Sequence, residues 1–152
     1  MSLIHLTTFI EAPVEKLFDL SRSLEIHMSS MRGHGEKIID GKRNGLLGLN
    51  ETVTWQAKHW GKVRTLQVKI TALQPHSYFC DEQVKGDFKK MKHEHFFKPC
   101  QNGTIMIDYF RFEVPYGQFG KAIDHLLLHR YMTRLLETRN RYLKSRAEEK
   151  TR

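Results

Sequence analysis

The sequence predicts an α+β domain in which one curved antiparallel sheet of about seven strands wraps around a single long C-terminal helix. Three observations lead there. Between Glu51 and Val114 apolar and polar residues alternate with period two, punctuated by turn residues and uninterrupted by any long helical pattern. From Gln118 to about Leu143 the period becomes three and four residues, which at ~1.5 Å per residue is a helix of nearly 40 Å, long enough to lie across a whole sheet. A twisted sheet with one apolar face must cover that face, and this helix is the only large amphipathic partner in the chain.

Size and composition agree with a single domain spanning 1–152. A chain of 152 residues, 39% hydrophobic and 28% charged, can bury a real core, which excludes disordered and fibrous classes. The longest strongly apolar pieces, such as Leu126-Leu127-Leu128, fall far short of the ~20 residues of a membrane-spanning helix, so no transmembrane segment is expected. The N-terminus reads as an amphipathic strand without a charged leader or a small-residue cleavage site. Cys80 and Cys100 are too few for a disulfide framework and lack zinc-site spacing. Both read as reduced thiols in a cytoplasmic protein. The net charge of +8 raises a nucleic-acid partner, but much of the excess sits in the last segment, on Arg130, Arg134, Arg139, Arg141, Lys144, Arg146, Lys150 and Arg152. On a helix these mostly fall away from the apolar stripe and read as a solvated face running into a basic tail over 144–152. No RNA-recognition signature, helix-turn-helix or zinc finger accompanies them, so no nucleic-acid partner is expected.

The elements follow in order. Leu3 to Ile10 alternate loosely as a first strand, stopped by Glu11-Ala12-Pro13. Pro13 suits a helix start, and Val14, Leu17, Phe18 and Ser21 give a short helix with one apolar face. Leu24 to Met31 form a second short helix. Glycines 33, 35, 41, 45 and 48 then leave room for one strand, around Lys37 to Asp40. Val53, Trp55 and Ala57 share a face up to a turn at Trp60-Gly61, and Leu66, Val68 and Ile70 share one in the next strand. Tyr78 to Lys85 follow, with the inward face undetermined. Met91, His93, His95 and Phe97 then lie opposite Lys92 and Glu94. Asn102-Gly103 is the strongest hairpin signal, since both central positions of a type I′ turn need positive φ. It leads into Thr104 to Val114, and Pro115-Tyr116-Gly117 ends the sheet. On the last helix, over 118–143, Phe119, Ile123, Leu126, Leu127, Tyr131, Leu135, Thr138 and Tyr142 form the expected inward stripe.

A curved sheet and a straight helix do not meet everywhere, so a cavity between them is expected. Its candidate apolar lining is Val53 and Trp55, Leu66 and Val68, Met91 and Phe97, Met106 and Phe110, and Ile123, Leu127 and Tyr131 of the helix. Aromatics and flexible methionines make an adaptable wall for a small hydrophobic ligand.

Two stretches carry a family resemblance. Ile10-Glu-Ala-Pro-Val-Glu-Lys-Leu-Phe-Asp19 resembles the opening of the START-like superfamily, also called SRPBCC, which contains lipid-transfer domains, polyketide cyclases and birch-pollen-allergen-like proteins. Phe79 to Phe88, His93-Glu94-His95-Phe96-Phe97, Gly103 to Asp108 and Val114-Pro115-Tyr116-Gly117 are similar to a bacterial branch of it that is sometimes labelled cell-division inhibitor. The resemblance covers nearly the whole chain and implies the helix-grip fold with a hydrophobic ligand. Met91 stands where tryptophan is expected in such relatives, which implies an altered pocket wall.

Polar residues on the inward faces are where chemistry could lie. His93 and His95, two apart on a strand, point the same way with Cα atoms about 6.5 Å apart, a spacing that suits a metal or an acid–base pair. Asp108 shares a face with Met106, Phe110 and Phe112 and can reach one of them across the hairpin. Glu51 and His59 share the face of Val53, Trp55 and Ala57. Three readings stay open: a structural hydrogen-bond network; a polar patch that orients the head of a bound ligand, in a carrier or sensor; and acid–base catalysis by His93, His95 and Asp108 in a cyclase- or hydrolase-like enzyme. The non-catalytic readings are preferred over the enzymatic one. No cofactor and no metal are assigned, because the acidic ligand that a cupin-like pair would have shortly after its second histidine is replaced by Phe96-Phe97-Lys98-Pro99-Cys100.

Overall fold

The computed structural model describes residues 1–115 and 122–150, apart from the side chains of 122–124. It has the helix-grip architecture. One sheet of seven antiparallel strands runs in the order β1-β7-β6-β5-β4-β3-β2, where β1 is Ser2–Ile10, β2 Lys37–Gly41, β3 Thr52–His59, β4 Lys62–Gln74, β5 Tyr78–Lys85, β6 Lys90–Cys100 and β7 Gly103–Glu113. From β2 onward the strands add hairpin by hairpin, and β7 then pairs with β1. The two short helices α1 (Val14–Arg22) and α2 (Leu24–Ser30) carry the chain from one sheet edge to the other. Helix α3 (Ala122–Ala147) lies in the concave face. No described helix is long and apolar enough to cross a membrane.

The period-two faces are the buried ones. Val53, Trp55 and Ala57 of β3, Val68 and Ile70 of β4, Met91, His93, His95 and Phe97 of β6, and Met106, Asp108, Phe110 and Phe112 of β7 are all buried. Register shifts in the β4–β5 ladder, between Gln67 and Val68 and again between Ile70 and Ala72, coil the sheet at this point. They also leave both Phe79 and Cys80 buried on β5, so simple alternation could not assign its inward face.

The core divides along α3. Its C-terminal half is tightly packed: Leu136, Leu143 and Ala147 join a cluster with Ile4, Ile10, Leu17, Phe18 and Phe112. Phe18 of α1 meets Phe79 and Phe97 edge-on, with ring centroids 5.8 and 5.3 Å away. The apolar stripe is therefore one position off the expected one. Leu136, Arg139, Asn140, Leu143 and Ala147 are buried, whereas Thr138 is exposed and Tyr142 and Leu135 are half-buried. Two polar residues in the inward stripe hid it from a hydrophobicity reading, and Arg139 is not part of the solvated face. The helix also outlasts its expected end at Leu143, and Lys144 to Ala147 belong to it rather than to a tail. Ala147 is buried, Lys144 Nζ donates to the Phe9 carbonyl (2.8 Å), and the Glu11 amide donates to Glu148 (2.8 Å), which fixes the last turn to the corner between β1 and α1. The predicted start at Gln118 lies outside the described residues.

The two hairpins exchange their expected roles. Trp60 (φ 51°) and Gly61 (φ 75°) form the pair of left-handed residues that a type I′ turn requires. At the other hairpin only Asn102 (φ 67°) is left-handed, and Cys100 pairs with Gly103, which is already in β7. Glycine is needed at 103 for a different reason: a Cβ there would collide with the Ile10 carbonyl of β1. Gly103→Ala is therefore expected to lower the unfolding free energy by about 1–3 kcal/mol, since backbone must move. Asn102→Gly, which relaxes the left-handed position, stays within about 1 kcal/mol of the parent. Urea titrations of the two variants check this, and equal losses would mean that the turn rather than the β1 contact requires the glycine.

Candidate functional site

Beneath the N-terminal half of α3 the helix and sheet part, leaving a cavity of about 740 Å³. Val53, Trp55, Ala57, Leu66, Val68 and Ile70 form its floor; Leu24, His27, Met31 and Leu47 close one side; Leu127, Leu128, Tyr131, Met132 and Leu135 form the roof. Met91 and Phe110 complete the wall towards β7. Trp55 is held flat by His27, whose ring stacks on it at 4.3 Å and whose Nδ1 lies 2.7 Å from the buried carboxylate of Glu36. At the rim the Tyr131 hydroxyl and His59 Nδ1 are hydrogen-bonded at 2.6 Å. Trp60 lies against Tyr131 with ring centroids 4.6 Å apart. A left-handed φ is unusual for so bulky a residue, and it places this ring over the mouth. Trp60 and Leu127 are more than half exposed and mark the opening.

Of the expected lining, Val53, Trp55, His59, Leu66, Val68, Met91, His93, His95, Phe110, Leu127 and Tyr131 are at the cavity surface. Phe97 and Met106 are not: Phe97 packs beneath Phe18, and Met106 is fully buried with its sulfur 3.9 Å from Ser21 Oγ, under α1. The Ile123 side chain lies outside the described residues. Glu51 is remote from the histidines. It pairs with Lys42 (2.9 Å) and accepts from the Gly48 amide (2.7 Å), at the entrance to β3.

The polar cluster is wider than the sequence suggested. Ladder registry places His95 opposite Asp108 and Asp81 opposite His93. His93 Nε2 donates to Asp108 Oδ1 (2.8 Å), and His95 Nε2 lies 2.7 Å from Asp81 Oδ1. The two imidazoles stack on each other at 3.7 Å. Helix α3 completes the set: Asn140 Nδ2 donates to Asp108 Oδ2 (2.8 Å), Arg139 lies 3.5 Å from Asp108 Oδ1, and Arg139 also donates to Asn140 Oδ1 (3.0 Å). Asp108 is fully buried and does not reach the cavity, whereas Asp81, His93, His95 and Arg139 do. Asp81, Arg139 and Asn140 escaped the sequence reading. Asn140 was detectable as the member missing from a Leu136, Leu143, Ala147 stripe, but Asp81 sits between the two register shifts of the β4–β5 ladder and carries no comparable signal.

Burial alone would raise the pKa of Asp108, but the hydrogen bond from His93, the adjacent His95 ring and the charge of Arg139 overcome it and hold the carboxyl well below its usual range. Asp81 is lowered likewise, with burial opposed chiefly by His95. Burial, reinforced by the adjacent His95, pushes His93 down to about 4, so its ring is neutral at pH 7. Its proton then sits on Nε2, towards Asp108, and Nδ1 carries the lone pair.

No family model and no curated protein matches the sequence. Solved structures do match. A protein from Thermus thermophilus superimposes with a TM-score of 0.78 at 18% identity over 96% of this chain and 97% of its own. Ginseng major latex-like protein 151 from Panax ginseng gives 0.69 at 12% identity, over 97% and 98%. The di-domain ARO/CYC protein StfQ of the steffimycin biosynthetic pathway gives 0.77 at 12% identity, over 96% of this chain and 50% of StfQ. At such identities the shared property is the fold, the helix-grip fold described above.

The His93 shift has a consequence for stability. With a folded pKa near 4 against an ordinary 6.5, His93 binds its proton more readily in the unfolded chain, so stability is present above pH 6.5 and falls between about pH 6.5 and 4. Asp108, whose folded pKa is depressed, adds a loss in the same direction at lower pH. The unfolding free energy is expected to drop by order 3 kcal/mol across the first window. His93→Gln flattens that window at the expense of lower stability at pH 7. Chemical denaturation at pH 7, 5.5 and 4 reads both, and an unchanged slope in His93→Gln would assign the acid sensitivity to other groups.

Proposed function

We propose that the chain binds a small, largely apolar molecule or lipid in the cavity between sheet and α3, as a carrier or sensor. The observation that carries this reading is the cavity itself: about 740 Å³ of mostly apolar space is within the ~300–1,000 Å³ range of small-molecule sites, in a protein interior that ordinarily closes such voids. The walls orient the ligand. The tail lies along Val53, Trp55, Val68 and Met132, and the polar end meets Arg139, Asp81, His93 and His95 at the inner end. Arg139 suits a carboxylate, phosphate or enolic oxygen, while the neutral His93 offers an acceptor. Trp60 and Leu127 at the rim form the apolar threshold across which a hydrophobic molecule enters.

A second reading, cyclase- or hydrolase-like catalysis, is favoured by the two histidine–carboxylate pairs at the cavity wall, and by the fold shared with an ARO/CYC protein. It expects a bell-shaped pH profile on a suitable substrate and near-complete loss of rate for His95→Ala with the fold intact.

Binding is testable without knowing the natural ligand. Trp55 is almost fully buried in the cavity wall and Trp60 is largely exposed, so a Trp60→Phe variant reports from Trp55. The apolar dye 1-anilinonaphthalene-8-sulfonate is expected to bind saturably to the folded protein and to quench Trp55. Ala57→Trp, which fills the cavity floor, weakens dye affinity about tenfold or more, while its melting temperature shifts by no more than about 5 °C. Native mass spectrometry of the freshly purified protein, compared with its denatured mass, identifies any ligand carried from the cell. Dye affinity unaffected by Ala57→Trp would place binding on the surface and remove the carrier reading.

A further inference from the structure

His95 is held in a way that a neutral imidazole cannot satisfy. Its Nε2 lies 2.7 Å from Asp81 Oδ1 and its Nδ1 lies 3.3 Å from Asp108 Oδ1. A neutral ring has one N–H, so whichever nitrogen carries it, the other directs a lone pair at a carboxylate oxygen. Nδ1 is buried and makes no hydrogen bond, although it lies beside Asp108 Oδ1, which accepts from His93 Nε2. The formal charges agree. Asp81 and Asp108 contribute two negative charges against one from Arg139, so one negative charge remains to be matched at His95 in a mostly buried site. One positive centre at His95 closes this set, either a second ring proton shared with the two carboxylates or a cation held between His95 Nε2 and Asp81.

We propose that this centre is a divalent transition-metal ion bound by Asp81, His93 and His95. The three side chains each present one donor atom, all within 4.8 Å of one another. A tetrahedral set at ~2.0 Å would have donor atoms about 3.3 Å apart, so side-chain rotations of an ångström or so complete it. The three lie on two adjacent strands with Asp81 directly across from His93, which gives the donors a rigid base. The surroundings have the form of an outer shell. Asp108 lies behind both imidazoles, accepting from His93 Nε2 and facing His95 Nδ1, which directs His93 Nδ1 and His95 Nε2 towards the ion. Asn140 and Arg139 hold Asp108 in turn. Because Asp81, His93 and His95 all reach the cavity, one or more coordination positions would face it. Two imidazoles and a carboxylate select Zn²⁺, Fe²⁺ or Co²⁺ over Ca²⁺ and Mg²⁺, which take oxygen ligands. The acidic donor that a two-histidine motif calls for is present after all, on the neighbouring strand rather than downstream. The proposal stands independently of any apolar ligand above the ion.

The test uses the full-length, untagged protein stripped with a chelator, and Co²⁺ or Zn²⁺ alone as probe. Co²⁺ is expected to bind at one equivalent per chain with a visible d–d absorption, to be displaced stoichiometrically by Zn²⁺, and to raise the melting temperature. Asp81→Asn and His95→Gln abolish the absorption. Asp108→Asn weakens affinity by about 10–100-fold, as loss of an outer-shell carboxylate does. His5→Ala, on the outer face of the sheet, has no effect. Should the site variants fail to fold, histidine ring ¹⁵N resonances of the parent decide: Zn²⁺ must shift His93 and His95 at one equivalent. Absence of a saturable site, full binding by folded Asp81→Asn and His95→Gln, or Zn²⁺ shifts confined to other histidines would each overturn the proposal.

Discussion

Asp108 is a carboxylate with no exposure to solvent, on a strand in the interior of the sheet. A charge there is tolerated only if its surroundings replace the water it has lost, and breaking such a set costs several kcal/mol. The replacement comes from two directions. His93 approaches from β6, and Asn140 and Arg139 come down from α3. Apolar contacts alone would allow the helix to slide or rotate over a surface of Phe, Met and Leu at little cost. The Asn140 hydrogen bond does not, because it requires one rotation and one axial position of α3. The resulting rotation is the one that turns Leu136, Leu143 and Ala147 into the core.

With the helix held there and at the β1–α1 corner, its two halves have different fates. Beyond Leu136 it is packed against β1, β7 and α1. Towards Leu127 the coiled sheet curves away from it; Leu17 and Phe18 of α1 fill the concave face at the other end, while α2 closes one side of the gap. The cavity is the geometrical remainder. Its polar group lies at the boundary between the packed and the open half, because Asp108 and Asn140, which fix the helix, are hydrogen-bonded to His93 and Arg139, which border the gap. The same polar cluster orients the helix and faces the cavity, so a change at Asp81 or His95 reaches both.

Much of this was legible in the chain. Period-two alternation from Val53 to Phe112 gave the strands and their buried faces, and antiparallel order followed from the short turns between them. Eleven of the expected lining residues reach the cavity. Phe97 and Met106 do not, because facing inward on a strand says nothing of whether α1 or empty space lies above. Asp81 was hidden for a related reason: two register shifts in β4–β5 break the alternation that would have assigned it. Arg139 and Asn140 were misplaced because hydrophobic periodicity treats every polar residue as outward.

The sequence by itself determined what depends on local and periodic physics: the fold class, the strand faces other than that of β5, the short helices, the places but not the types of the turns, and the meeting of His93, His95 and Asp108 through strand parity. Tertiary structure alone decided the rotation of α3, the separation of packed core from cavity, and the recruitment of Asp81, Arg139 and Asn140 to the histidines. These depend on how far apart two curved surfaces lie and on which buried charge needs a partner. Such quantities arise between segments distant in the chain, and no periodicity within a segment encodes them.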